Sequence, residues 1–124
     1  MDEPNRIGLS AKVNAQLEDL LKDLNSQEGG VELIKRDLYR LAVALGIKNA
    51  IDPSPLDDKN GWKDRVSEFD PDRSLYTAAE NSGLATAGAS IYEFIERLAE
   101  HGIKEFYQVY QQSGQLPLEE YFEE

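Results

Sequence analysis

The chain has 124 residues, of which 40% are hydrophobic and 30% charged, with no cysteine and a formal net charge of −11. That balance fits one soluble globular domain with a modest core and excludes a disordered chain. The lack of cysteine excludes disulfides, thiolate nucleophiles, thiolate zinc sites and iron–sulfur clusters.

The segment Arg6-Ile7-Gly8-Leu9-Ser10 alternates polar and apolar residues, the period of a short half-buried strand. Its outward side chains would be Arg6, Gly8 and Ser10. Ser10 then caps a helix over 11–25, with Val13, Leu17, Leu20, Leu21 and Leu24 on one face. Gly29-Gly30 permits a sharp change of direction. A second helix follows over 31–45, with Ile34, Leu38, Leu41 and Leu45 as its buried stripe and Ala42 and Ala44 open to close approach. Gly46 is placed as the left-handed residue past its end.

Residues 48–70 read as a long irregular connection containing Pro53, Pro55 and an Asn60-Gly61 turn, pinned by Trp62, Val66 and Phe69. Asp70-Pro71 predicts a helix start, with a stop at Gly83. Residues 84–89 are weakly patterned. Ser90-Ile91-Tyr92-Glu93 has the form of a capping box. Its helix carries Ile91, Phe94, Ile95 and Leu98 inward and stops at His101-Gly102. Ile103, Phe106, Tyr107 and Tyr110 then lead a last helix to Ser113-Gly114. The fold class expected is mainly α: a single compact domain of about five helices with a possible short N-terminal β-strand. Its parts are a strand-helix-helix unit (1–50), a Pro-containing loop (51–70), a helical unit (71–114) and an acidic aromatic tail (115–124).

No residue cluster announces a reaction. The single histidine, His101, sits where a helix end favours a cation. Asp57-Asp58 and the Asp70/Asp72 pair lack the ligand spacing of a calcium loop and read as loop charge and helix capping. No phosphate-binding glycine loop or nucleophile elbow is present. The expectation is a non-enzyme with no metal and no cofactor.

Residues 1–50 hold seven basic and eight acidic residues, so nearly all of the negative charge lies beyond them. Nucleic-acid contact needs clustered Lys and Arg, which confines any DNA contact to the N-terminal half. The acidic excess otherwise serves solubility. Arg6, Lys12, Lys35, Arg36 and Arg40 are the candidate DNA or partner contacts. Glu32 and Asp37 offer Arg36 and Arg40 ordinary helix salt bridges as the alternative. Tyr107, Tyr110, Tyr121 and Phe122 are candidate partner-binding aromatics, or else core. The first ten residues carry no basic and apolar pattern of a signal peptide, and no apolar run reaches the about 20 residues of a membrane span. A cytoplasmic protein without a membrane partner is expected.

The strand, helix, glycine break and helix of the first fifty residues resemble a ribbon–helix–helix unit. That resemblance implies a homodimer whose paired strands enter the DNA major groove, with Arg6 as the base reader. A second resemblance covers most of the chain. Its residues are Arg6-Ile7, Glu28-Gly29-Gly30, the run DLYRLAVALGIK at 37–48 with its Leu-Gly-x-Lys turn, and IYEFIERLAEHGIKEF at 91–106. In these the chain is similar to small accessory proteins of the Dnd system, the bacterial DNA phosphorothioation machinery. The linker and tail depart from that pattern, as does the lack of basic residues after the turn. The resemblance implies a non-enzymatic accessory or adaptor subunit of a phage-defence or restriction cassette that works by protein–protein interaction. A ribbon–helix–helix regulator and an acidic DNA mimic are the alternatives.

Overall fold

A computed structural model describes residues 3–25, 32–85 and 90–114. The elements are β1 (Arg6–Gly8), α1 (Ala11–Asn25), α2 (Lys35–Lys48), β2 (Lys63–Arg65), α3 (Val66–Phe69), α4 (Ser74–Ser82) and α5 (Ile91–Ser113). The architecture is mainly α, with five helices and a short N-terminal strand, as the sequence predicts. The Gly29-Gly30 break, residues 86–89 and the tail over 115–124 lie outside the described residues.

The organising element is α5. It starts at the predicted cap, where Ser90 Oγ accepts from the Glu93 amide at 3.1 Å. It ends at Gly114 in the left-handed conformation. In between it runs unbroken for 23 residues, roughly 34 Å at the usual helical rise. Ile95, Leu98, Ala99, Ile103 and Phe106 are buried along it, and α1, α2, α4 and β1 all pack against it.

Two of the glycines read as helix stops are instead points of close packing. Gly102 lies inside α5, where a Cβ would sit 2.6 Å from Ala42 Cβ. Gly46 lies inside α2, where a Cβ would meet Leu98 Cδ2 at 2.8 Å. Removing the side chain from each helix lets α2 and α5 approach closely. Ala42 therefore does what its size predicts, whereas Ala44 is exposed.

The buried face of α2 is also turned from the predicted stripe. It consists of Leu38, Tyr39, Ala42, Val43 and Gly46. Ile34 precedes the helix and is 53% exposed. Leu41 and Leu45 are half-buried. Tyr39 sets this rotation by taking a core position, with its ring edge-on to Trp62 and Phe69 at centroid distances of 5.5 and 5.2 Å. Its hydroxyl donates to the Gly8 carbonyl at 3.1 Å. Burial, together with Glu96, Glu100 and Asp64 nearby, pushes this phenol well above its ordinary range, so it stays a donor.

β1 pairs antiparallel with β2 of the same chain, Arg6 opposite Arg65 and Gly8 opposite Lys63. Leu9 extends the pairing through the Trp62 carbonyl and the Gly61 amide. The other edge faces α5. There the Gly8 amide donates to Glu96 Oε2 at 2.9 Å, and the Ser10 amide and hydroxyl donate to Glu100 Oε1 at 3.0 and 3.1 Å. The spacing is a geometric match: two strand residues advance about 6.6 Å, and four helix residues about 6 Å. Gly8 and Ser10 are thus buried, not outward as the alternation suggests.

The long connection is better ordered than its prolines suggest. Asp58 accepts the Ala11 and Asn60 amides at 3.0 and 2.9 Å, tying the loop to the start of α1. β2 and α3 follow, with Phe69 buried. The next helix begins at Ser74, later than Asp70-Pro71 implies. Asp70 still serves its first turn, accepting the Leu75 and Tyr76 amides at 3.1 and 3.0 Å. Arg73 takes the cap position at φ 58°. Gly83 ends the helix in the left-handed conformation as predicted.

Gly102→Val should overpack the α2–α5 contact and lower stability by about 1–3 kcal/mol. A drop in the urea midpoint at unchanged slope checks this. Glu100→Ala leaves the buried Ser10 amide and hydroxyl without an acceptor and should cost about 1–3 kcal/mol. Glu100→Gln keeps an acceptor and should recover most of that loss in a thermal melt.

Candidate functional site

Most of the predicted basic residues are engaged inside the fold. The Arg36 guanidinium grips the buried Asp64 with two hydrogen bonds of 2.7 and 2.8 Å, and reaches Glu68 at 3.4 Å. Its partners are not Glu32 or Asp37, the neighbours along the helix. Asp37 instead accepts the Ile34 amide at 2.9 Å. Arg40 donates to the Phe69 and Glu68 carbonyls, closing the end of α3. Lys35 bonds Asn14 and lies 3.5 Å from Glu18. Lys12 is exposed on α1. Arg36, Arg40 and Lys35 tie α1, α2 and the connection together, and neither they nor Lys12 line the cleft that holds Arg6.

The aromatic candidates divide. Tyr107 and Tyr110 are half-buried neighbours on α5, ring centroids 6.1 Å apart, and the Tyr107 hydroxyl donates to Asp19 at 3.1 Å. Tyr121 and Phe122 lie outside the described residues. His101 is an interior residue of α5, its Nε2 3.5 Å from Glu105, not a helix end.

Arg6 leads elsewhere. Folding places it on the wall of an open cleft of about 720 Å³, together with Arg65 of β2 and Arg73 of the turn before α4. All three are exposed. Arg6 and Arg65 are directly opposed across the antiparallel pair, an arrangement of like charges that destabilises a sheet. Neither forms an ion pair among the described residues. Arg73 stacks over the Tyr76 ring at 4.1 Å. It holds a left-handed backbone that a residue with a Cβ adopts at some cost.

Two carboxylates line the same cleft, and both are committed to helix starts. Glu3 accepts from Ser90 Oγ at 2.5 Å and from the Ile91 and Tyr92 amides at 3.0 and 2.9 Å, at the start of α5. Burial opposes its ionisation. The hydrogen bonds from Ser90, Tyr92 and Ile91, with the nearby Arg73 charge, outweigh that and hold its carboxyl below the ordinary value. Asp70 is buried, and beyond the α4 amides it accepts the Tyr92 hydroxyl at 3.0 Å. Burial and this bond to Asp70 push the Tyr92 phenol up to about 12. The cleft therefore offers three guanidiniums whose local acids already have donors of their own.

Arg65 and Arg73 are the residues that sequence reasoning misses. Both come from the acidic half of the chain, so the division of charge at residue 50 does not survive folding. Only the register of β1 on β2 brings Arg65 to Arg6, and no periodicity in the Lys63-Asp64-Arg65 stretch signals a strand. The same register bears on a strand-paired dimer. From Gly8 to Ser10 both edges of the N-terminal strand are occupied within the chain, by β2 and its preceding turn on one side and by α5 and Tyr39 on the other.

No group of three or more potential metal ligands occurs among the described residues, and none of their helices is long and apolar enough to cross a membrane. Fold and site together define a small mainly helical domain with an arginine-lined cleft on an acidic body. Compared with known proteins, the chain matches no known family, no curated protein and no solved structure.

The two kinds of arginine should respond oppositely to removal. Arg6→Gln or Arg65→Gln relieves the cross-strand repulsion and should raise stability by roughly 0.2–1 kcal/mol. Arg36→Ala strips the buried Asp64 of its partner and should lower it by about 1–3 kcal/mol. Thermal melts of the three variants separate the cases, and a clear loss in Arg6→Gln would show that its charge supports the fold.

Proposed function

We propose that the protein is a non-enzymatic adaptor subunit of a bacterial DNA-modification-linked defence cassette, and that it docks an anionic segment of a partner protein in the Arg6–Arg65–Arg73 cleft. The cassette comes from the Dnd-type resemblance of residues 37–48 and 91–106. The mode of action comes from one observation: two opposed arginines stand without an acidic partner among the described residues of a chain of net charge −11. Acids are plentiful, so leaving these two unpaired keeps an anion site open at a cost to the sheet. The cleft suits a short segment more than a duplex. The acidic excess of the chain disfavours a long polyanion, while the cleft itself sets three arginines against two carboxylates.

Surface charge of this kind steers and selects partners more than it adds affinity. The tagged protein, co-expressed with the products of its adjacent genes, should co-elute with one of them at low salt. Arg6→Glu combined with Arg65→Glu should abolish the association, and Lys12→Glu should leave it intact. Failure of every adjacent product to co-elute at low salt would remove the adaptor reading.

A further inference from the structure

We propose that the cleft is a phosphate-monoester site that receives a phosphorylated side chain of the partner; this rests on the adaptor reading above. Three arginines line the cleft from three different elements: Arg6 from β1, Arg65 from β2 and Arg73 from the turn before α4. A carboxylate has two oxygens in one plane and one charge, which a single bidentate arginine satisfies. A phosphate monoester carries close to two charges at neutral pH and three acceptor oxygens directed tetrahedrally. Each of its three oxygens can accept from a different arginine, a match in number that a planar carboxylate lacks.

Glu3 and Asp70 also line the cleft, and their charges offset part of the arginines' field. Glu3 and Asp70 have their oxygens filled by helix-start amides and by Ser90 and Tyr92, so they do not compete for the guanidiniums by hydrogen bonding. The Arg73 head is stacked on Tyr76 and so is already oriented, which lowers the ordering cost of binding. Ser67 on the wall adds a neutral hydroxyl donor. A nucleic-acid phosphodiester fits less well. Each of its phosphates has one charge, and a run of them meets the negative net charge of the chain. A cleft of about 720 Å³ leaves room for the residues flanking a phosphorylated side chain.

The test is calorimetric titration of the full chain with four probes at fixed ionic strength. They are inorganic phosphate, a neutral peptide with one central phosphoserine, the same peptide with glutamate there, and a short single-stranded oligonucleotide. The phosphoserine peptide should bind best, at least about tenfold tighter than the glutamate peptide, the equivalent of one charge-assisted hydrogen bond. Its affinity should fall between pH 7 and pH 5 as the phosphate, with a second pKa of about 6, loses its dianion. Within the cleft, Glu3 is held below this range and Tyr92 far above it. The only histidine lines a different cavity. Arg6→Gln, Arg65→Gln and Arg73→Gln should each weaken the phosphopeptide about tenfold or more, with thermal melts confirming that they fold.

Equal binding of the glutamate peptide overturns the phosphate assignment. So does inorganic phosphate binding as tightly as the phosphopeptide, or an oligonucleotide that binds more tightly. A partner that co-elutes through Arg6 and is insensitive to phosphatase sinks this inference and leaves the adaptor standing. Phosphopeptide binding with no co-eluting partner does the reverse, keeping the phosphate site and removing the adaptor.

Discussion

The attachment of the N-terminal strand to the long helix is the constraint on which the rest of the structure depends. Glu96 and Glu100 lie one helical turn apart and present buried carboxyl groups to Gly8 and Ser10. Glu96 also lies 3.0 Å from the Lys59 ammonium, which draws the long connection over the same point. Carboxylates are costly to bury, and they are tolerated here because each meets two donors. A strand with one edge on a helix and the other on β2 has no freedom of register. That fixes where Tyr39 finds an acceptor, where Arg6 stands and which residue stands across from it.

The distribution of acids follows a consistent division of labour. Asp58, Glu3 and Asp70 receive amides at the starts of α1, α5 and α4, where helix dipoles favour negative charge. Asp64 takes Arg36, and through it α2 is clamped to β2. In a chain with such an excess of acid, any arginine can find a counter-ion cheaply. Two that do not among the described residues, facing each other across a sheet, are more informative than a larger basic cluster with every charge matched. The opposed pair can persist because the surrounding interactions fix the register regardless of the repulsion.

Much of the fold is legible in the sequence, because caps and apolar periods act locally. The start of α1 after Ser10, the Ser90 cap, the stop at Gly83 and the stop at Gly114 all follow from residue chemistry within a turn. The misreadings share one cause. Gly46 and Gly102 are identical in sequence logic to helix-ending glycines, and only the presence of a second helix against each decides that they stay helical. The rotation of the α2 face likewise depends on Tyr39 finding Gly8, Trp62 and Phe69, which are distant along the chain. The site is less legible still. Arg6 stands out in an alternating segment, but Arg65 and Arg73 acquire meaning only through strand register and a left-handed turn. Arg36 and Arg40 are conspicuous on a helix face and prove to be braces.

The strap between β1 and α5 spans most of the chain, with Ser10 waiting for Glu100. Contacts so remote in sequence form late, after loop closure has been overcome. During synthesis the first strand therefore has no helix to lie on until residues 96–100 have emerged. The cleft shares this dependence, since it draws on residues near position 3, around 65–73 and at 92. No fragment holds it, and loosening the first strand dismantles it. The cleft is thereby tied to completion of the fold, so that a truncated or unravelled copy lacks it.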